Sequence, residues 1–274
     1  MNTGVNYKLF YEILLNLREA FHSYGRVDDS NTKLDEIVKL IMLSYYCAIN
    51  GKRFSLKLVR QIAVSQFNNE DQLAPTLRML FEDAAKAPIY KNIDGTSIFG
   101  ANASLNIQSS ENVFAEKLIS EIEKIDFLNL IKNNEISKFD IINECFGHFV
   151  RENFRNNKED AQYMTPAEIT IPVLEMIFSD FQKEHYFEKT DFDSFTIMDP
   201  TCGVGTLLIE ASKQYIRYIT KLNLPEAKKN KLITQFLKTG MIGQDKVDRM
   251  VRLSKINTLL ISGNIKNIFI GNSI

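Results

Sequence analysis

The sequence has no surplus of positive charge: 33 Lys and Arg stand against 34 Asp and Glu, a net charge of −1 over 274 residues. A chain that held polyanions through its overall field would be strongly basic, so a self-sufficient, strongly basic DNA binder is not expected. Cysteine is scarce. Cys47, Cys145 and Cys202 are odd in number, far apart and without a C-x-x-C pair. That excludes a disulfide framework and a zinc ribbon, and it points to a reducing compartment, most simply the cytoplasm. Long apolar runs are missing too. The longest, Ile37 to Ile49, is interrupted by Lys39 and falls short of the roughly 20 residues that a membrane span needs. The N-terminus lacks a basic region followed by an apolar core, so neither secretion nor membrane insertion is expected. His22, His148 and His185 lie far apart, with no metal-ligand spacing and no Ser/His/Asp arrangement. No metal site is expected.

What is present is an ordinary globular composition, 45% hydrophobic and 24% charged, which excludes wholesale disorder and coiled coil. The length suits two domains. Leu9, Ile13, Leu14 and Leu17 repeat at helical spacing, as do Leu34, Ile37, Val38, Ile41 and Leu43, with Asn31 or Thr32 as a cap. These stripes read as core faces of a small helical bundle. Between Pro88 and Ser110 the periodicity gives way to Gly, Ser and Asn, which is loop chemistry and the best candidate for a linker. Helical spacing resumes over 113–131 and 139–154, giving a helical N-terminal domain over residues 1–140.

After Pro166 the character changes. A helix through Ile169, Val173, Leu174 and Ile177 precedes a short apolar strand, 195–198, which ends at Asp199. A helix over 206–220, an inserted helix over 226–238, a strand over 241–244, a helix over 247–261 and a strand over 267–270 follow. Strands alternating with helices predict an α/β fold with a parallel, doubly wound, Rossmann-like sheet over 141–274. The insert contributes to a run of basic residues, Lys213, Arg217, Lys221, Lys228, Lys229, Lys231 and Lys238. Such a run is more often a solvated helix face than a phosphate contact.

The most informative stretch is Asp199-Pro200-Thr201-Cys202-Gly203-Val204-Gly205-Thr206-Leu207-Leu208. A strand that ends in an acid and turns through two glycines into a helix brings bare backbone to the carboxyl edge of the sheet, where ligands bind in open α/β folds. A dinucleotide fingerprint would require glycine where Leu208 stands, and a P-loop would require Gly-Lys-Ser/Thr, which is absent. The turn suits a ligand without phosphates but with amines to satisfy. Cys202 reads as a small packing residue, since no Pro-Cys pair marks a nucleophile.

This pattern resembles the S-adenosylmethionine (SAM) turn of the amino-methyltransferases, in the D-P-x-C-G-x-G form of the DNA adenine methyltransferases. Further elements resemble the family in order. Gln162-Tyr163-Met164-Thr165-Pro166 looks like the segment that closes over the methionine end of SAM. Gly243-Gln244-Asp245 looks like the acidic ribose clamp, with Lys246 beside it, and Gly271-Asn272-Ser273 looks like the adenine contact. The whole is most similar to the modification subunit of type I restriction-modification systems, matched over 141–274 and only by helicity before that. The resemblance implies SAM as cofactor, held by Tyr163, Met164, Thr165, Asp199, Thr201, Gly203, Gly205, Thr206, Leu207, Asp245, Lys246 and Asn272. It implies DNA as the partner of a complete complex, together with a specificity subunit and a restriction subunit. The residue chemistry agrees. Asp199 suits the ammonium of the amino-acid moiety, Asp245 offers two oxygens to ribose hydroxyls, and the helix starting at Thr206 offers N–H groups to a carboxylate. A side chain at position 205 is expected to fill space that the methionine moiety needs.

One family element is missing. Activation of the adenine amine relies on an Asn/Asp-Pro-Pro-Tyr/Phe loop after the fourth strand, and no two of the six prolines here are adjacent. No catalytic residue is therefore assigned. The expectation is a methyltransferase domain truncated after its third strand, or one part of a split enzyme whose C-terminal half lies on another chain. The alternative is a non-catalytic SAM-binding or partner-binding module derived from the family. Strand 195–198 would keep an open, apolar edge.

Overall fold

Apolar residues at helical spacing turn one face of each N-terminal helix inward, and side-chain caps mark where some of these helices begin. The computed structural model describes residues 7–24, 29–101, 103–132, 149, 165, 167–184 and 195–273, and the chain divides into two units, 1–158 and 159–274. The first unit contains α1 (Tyr7–Ser23), α2 (Ser30–Ile49), α3 (Leu56–Phe67), α4 (Leu73–Ala84), α5 (Asn112–Ile122) and α6 (Phe127–Lys132). Asp29, rather than Asn31 or Thr32, caps α2: its carboxylate accepts the Thr32 N–H at 2.8 Å, and an ionised acceptor suits the positive end of a helix. The stretch expected as one helix over 113–131 is two. Asp126 accepts the Asn129 N–H at 3.0 Å and opens α6 as a new cap. The helix expected over 139–154 lies outside the described residues except for Phe149, whose ring meets Tyr11 edge-on at 6.1 Å.

The segment 88–110 lies within this first unit. The Tyr90 hydroxyl is buried and donates to the Met42 carbonyl at 2.6 Å, and Leu105 and Ile107 are buried. Asn106 N–H donates to Glu36 at 2.7 Å. Glu36 itself is 1% exposed, and burial raises its pKa above the usual carboxylate value although the Lys39 ammonium sits 2.5 Å away. Lys39 also donates to the Ser104 carbonyl at 2.8 Å. One acid thus ties a loop of polar composition to α2.

The second unit runs α7 (Ala167–Lys183), β1 (Ile197–Asp199), α8 (Thr206–Lys221), α9 (Glu226–Gln235), β2 (Met241–Asp245), α10 (Asp248–Ser262) and β3 (Ile268–Ile270). The strands are parallel in the order β1-β2-β3. Asp199 lies opposite Gly243, and Asp245 opposite Ile270. Leu208 from α8, Val251 from α10, Cys202 and Ile268 form one cluster against Ile197, so α8 and α10 share a face of the sheet. On the other face Met198 is 56% and Phe269 41% exposed. The doubly wound expectation is therefore met on one face only among the described residues. The helix expected over 226–238 gives up α geometry at Gln235 and passes through a π turn, Phe236–Gly240, in which Phe236 stacks on Tyr215 at 4.1 Å. No helix among the described residues is long and apolar enough to cross a membrane.

Replacing Glu36 by Ala strands the Asn106 N–H and leaves the Lys39 ammonium, which keeps the Ser104 carbonyl, without its counter-charge, and urea denaturation should record a loss of about 3 kcal/mol or more. Glu36→Gln keeps an acceptor for Asn106 and a neutral group where burial already disfavours charge. It should cost less than half as much.

Candidate functional site

The carboxyl edge of the sheet brings the glycine turn together with two acids. β1 ends at Asp199, whose Oδ1 accepts the Thr201 N–H at 3.0 Å and starts the turn. The Cys202 N–H then donates to the Gln244 carbonyl at 2.8 Å, which continues the pairing with β2 beyond the last residue of β1. Gly203 and Gly205 both have positive φ, +51° and +86°, a region that side chains rarely enter. Their surroundings differ. A Cβ on Gly203 would meet nothing within 4 Å, whereas one on Gly205 would lie 2.7 Å from Ser254 Oγ. Glycine at 205 is thus required by α10, through Ser254, whatever the turn holds; the open space lies over Gly203.

Asp245, at the end of β2, is the centre of the arrangement. Its Oδ2 accepts the Gly203 N–H at 3.0 Å and its Oδ1 accepts the Val247 N–H at 2.9 Å. A carboxylate has about four acceptor sites, so each oxygen keeps capacity for a further donor. Burial raises the pKa of Asp199, and the negative charge of Asp245 adds to the effect, against the Thr201 hydrogen bond. Cys202 is buried, and desolvation pushes its thiol up to about 11, so it is a neutral packing group at physiological pH.

α8 begins at Thr206 with Gly205 as its cap residue, without a side-chain cap and without an acid in its first turn. Thr206 and Leu207 are half-buried and Thr201 is exposed. On the far side of β2, Gln244 Nε2 donates to Ser273 Oγ at 2.8 Å, and Ser273 Oγ donates to the Pro200 carbonyl. This places exposed Asn272 at the same edge as the turn. Lys246 and Thr165 are exposed. Tyr163 and Met164 lie outside the described residues, as do His148 and His185.

Two residues of the site escaped the sequence reading. Ser254 and Asn257 of α10 are buried, and Asn257 Nδ2 donates to the Val204 carbonyl at 2.9 Å, bracing the turn from below. Asn257 Oδ1 has no donor among the described residues. The available signal was two polar residues, three apart, amid Val251, Leu253, Ile256 and Leu259. Such a spacing puts them on one helix face.

The two glycines separate in a stability test. Gly203→Ala should cost about 1 to 2 kcal/mol, from φ alone. Gly205→Ala should cost about 1 to 3 kcal/mol more because it also overpacks Ser254. Adding Ser254→Ala should recover that second part and leave the first, as read by chemical denaturation of the three variants.

The comparisons follow this geometry. The chain aligns with a modification subunit assigned to a type I restriction enzyme from Vibrio vulnificus YJ016, at a TM-score of 0.57 and 13% identity, covering 98% of this chain and 56% of that one. It also aligns with a chain of the DrdV–DNA complex at a TM-score of 0.34 and 16% identity, covering 96% of this chain and 24% of that one. The chain thus spans little more than half the length of the Vibrio subunit, and at this identity the likeness is one of fold. No curated protein matches the chain. The model of the N-6 DNA methylase family matches residues 137–274, a span that holds the glycine turn, both strand-end acids and the 271–273 segment, and the chain belongs to that family.

Proposed function

We propose that the edge formed by 199–206, Asp245 and 271–273 holds SAM, and that the chain is the donor-binding part of a DNA adenine-N6 methyltransferase of a restriction-modification system. The observation that carries this reading is the pair of carboxylates at adjoining strand ends, facing a glycine turn that opens into a helix without a side-chain cap. Such an edge accepts a molecule that is cationic at one point and anionic at another. Asp199 receives the ammonium, which relieves the unfavourable burial of its charge. The N–H groups at the start of α8 receive the carboxylate. Asp245 takes the ribose hydroxyls on the acceptor capacity left by Gly203 and Val247, and Asn272 takes the adenine amine. The space over Gly203 is where a Cβ meets nothing. Tyr163, Met164 and Thr165 are assigned to closing over the methionine end and Lys246 to the rim of the ribose site. When bound, SAM supplies an electrophilic methyl group on a sulfonium.

Calorimetry with SAM should give a one-site isotherm. Asp245→Ala should weaken it by roughly 10- to 100-fold, since it removes the hydroxyl acceptors at about 1 to 3 kcal/mol and also frees the Gly203 N–H. Because the Asp199 pKa is raised, this carboxylate takes up its proton early as pH falls. SAM affinity should therefore decline on acidification starting above the usual carboxylate range. Asp199→Asn should bind weakly and lose that pH dependence, yet unfold at a higher temperature in the absence of SAM, because no buried charge remains. A pH-independent isotherm in the parent protein would remove Asp199 from the site.

The acceptor side is assigned elsewhere. No two prolines of this sequence are adjacent, so the Asn/Asp-Pro-Pro-Tyr/Phe loop is not among these 274 residues. Binding the donor without activating the adenine amine leaves the chemical step uncatalysed. The proposed partners are a polypeptide that carries that loop, a specificity subunit that reads the DNA and a restriction subunit; the helical domain is taken as residues 1–140. The purified chain should transfer no labelled methyl group to duplex DNA, and addition of a loop-bearing polypeptide should restore transfer. Incorporation by the chain alone, abolished by Asp199→Ala, would overturn this division of labour.

A further inference from the structure

Charge is laid unevenly along the second unit. Residues 211–240 hold seven cations and one anion in a chain whose net charge is −1. The structure gathers several of them. In α8, Leu208, Ala211, Tyr215, Tyr218 and Ile219 are buried, and the opposite side carries Lys213, Arg217 and Lys221 at i, i+4 and i+8, in steps of about 6 Å. Lys213 pairs with Glu210 at 3.6 Å at the head of this row, while Arg217 and Lys221 are exposed. The row does not stop at the end of the helix. Lys229 Nζ donates to the Thr220 carbonyl at 3.0 Å and to Glu226 Oε1 at 3.0 Å. That contact sets the first turn of α9 beside the last turn of α8, and Lys228 in that first turn is exposed, as Lys221 in the last turn of α8 is.

Two features separate this surface from an ordinary solvated face. Leu232 is the one buried residue of α9, with Ile233 packed beside it in the core, so the helix reaches the core through these two side chains and turns most of its length outward. Along residues 206–240, all of them described, no large hydrophobic side chain is exposed, whereas Ile169 and Met176 of α7, Met198 of β1 and Phe269 of β3 are. Protein interfaces concentrate aromatic and apolar groups at their centre and are depleted in lysine, while interfaces with DNA are polar and strongly positive. The chemistry of α7 and the bare sheet face is of the first kind, and that of α8 and α9 is of the second.

We propose that the outer face of α8, continued by the start of α9, contacts the phosphate backbone of duplex DNA through charge alone, without reading bases. This rests on the reading that the chain works on DNA. It adds a location: Lys213 lies about 10 Å along α8 from the Thr206 end, so one helix turns its N-terminus to the donor edge and its flank to the duplex. The near-neutral net charge is then a sum of segregated parts.

The test is fluorescence anisotropy of a labelled 30-base-pair duplex of arbitrary sequence with the full chain, between about 50 and 200 mM salt, the range over which phosphate contacts dominate. For the parent chain, log K should fall linearly with log salt. The triple variant R217Q/K221Q/K228Q should flatten the slope by about 2 to 3 and weaken binding on the order of 100-fold at 0.1 M salt. The charge-conserving variant R217K/K221R/K228R should keep the parent slope. An unchanged slope in the triple variant overturns the proposal, as does a parent chain that binds a polyglutamate peptide through these residues but not DNA, which marks an acidic protein as the partner. SAM calorimetry on the same triple variant keeps the two readings apart. Stripe-dependent DNA binding without SAM uptake overturns the donor site alone; SAM uptake with DNA binding indifferent to the stripe overturns this surface alone.

Discussion

Everything at the sheet edge depends on where the carboxylate of Asp245 points. One side chain at the end of β2 holds the Gly203 N–H of the turn that leaves β1 and the Val247 N–H that leads into α10. Gly203 is held in a positive-φ conformation, the direction of the turn fixes the start of α8, and the start of α8 fixes which N–H groups face the edge. The same acid adds its charge to the burial that raises the Asp199 pKa. Structure and electrostatics therefore meet in a single group, which is why the charge of this edge and the shape of the turn are not separable by deleting Asp245.

Much of this was legible in the sequence because it is local. The alternation of short apolar runs with helical stripes places all three strands to within two residues, and the glycine pair between Asp199 and Thr206 announces a turn at a strand end. What was not legible depends on partners distant in sequence. The cap of α2 is the local exception: Asp29, three positions before Thr32, supplies the oxygen that accepts the Thr32 N–H. The Gly- and Ser-rich stretch after Pro88 looks like a linker by composition, yet Glu36 and Met42 of α2 supply acceptors that hold it down. The need for glycine at 205 is set by Ser254, 49 positions further on. The row of cations on α8 and α9 was readable as residues but not as a surface, because the contact from Lys229 to Thr220 joins two helices across a Pro-containing loop.

The edge concentrates negative charge at a cost to the protein itself. Asp199 is half-buried near a second acid, and Cys202, packed with Leu208, Val251 and Ile268, stays a thiol because desolvation and both carboxylates oppose its ionisation. A thiolate there would add a third negative charge to a small volume. Groups held in unfavourable states of ionisation cluster where a ligand relieves them, and they trade stability of the empty protein for affinity.

The register of the sheet makes it a ruler. β1 stops level with Gly243 while β2 and β3 continue for two more residues, to Asp245 and Ile270, so the edge is a step and not a straight line. Two residues of strand amount to about 6 to 7 Å, and that rise is the offset between the two acids measured along the strands. A single residue inserted into β2 would turn the second acid to the opposite side of the sheet as well as lift it by half a step. The spacing of the acids is thus written in strand length, and it is protected by the same pairing that holds the core together.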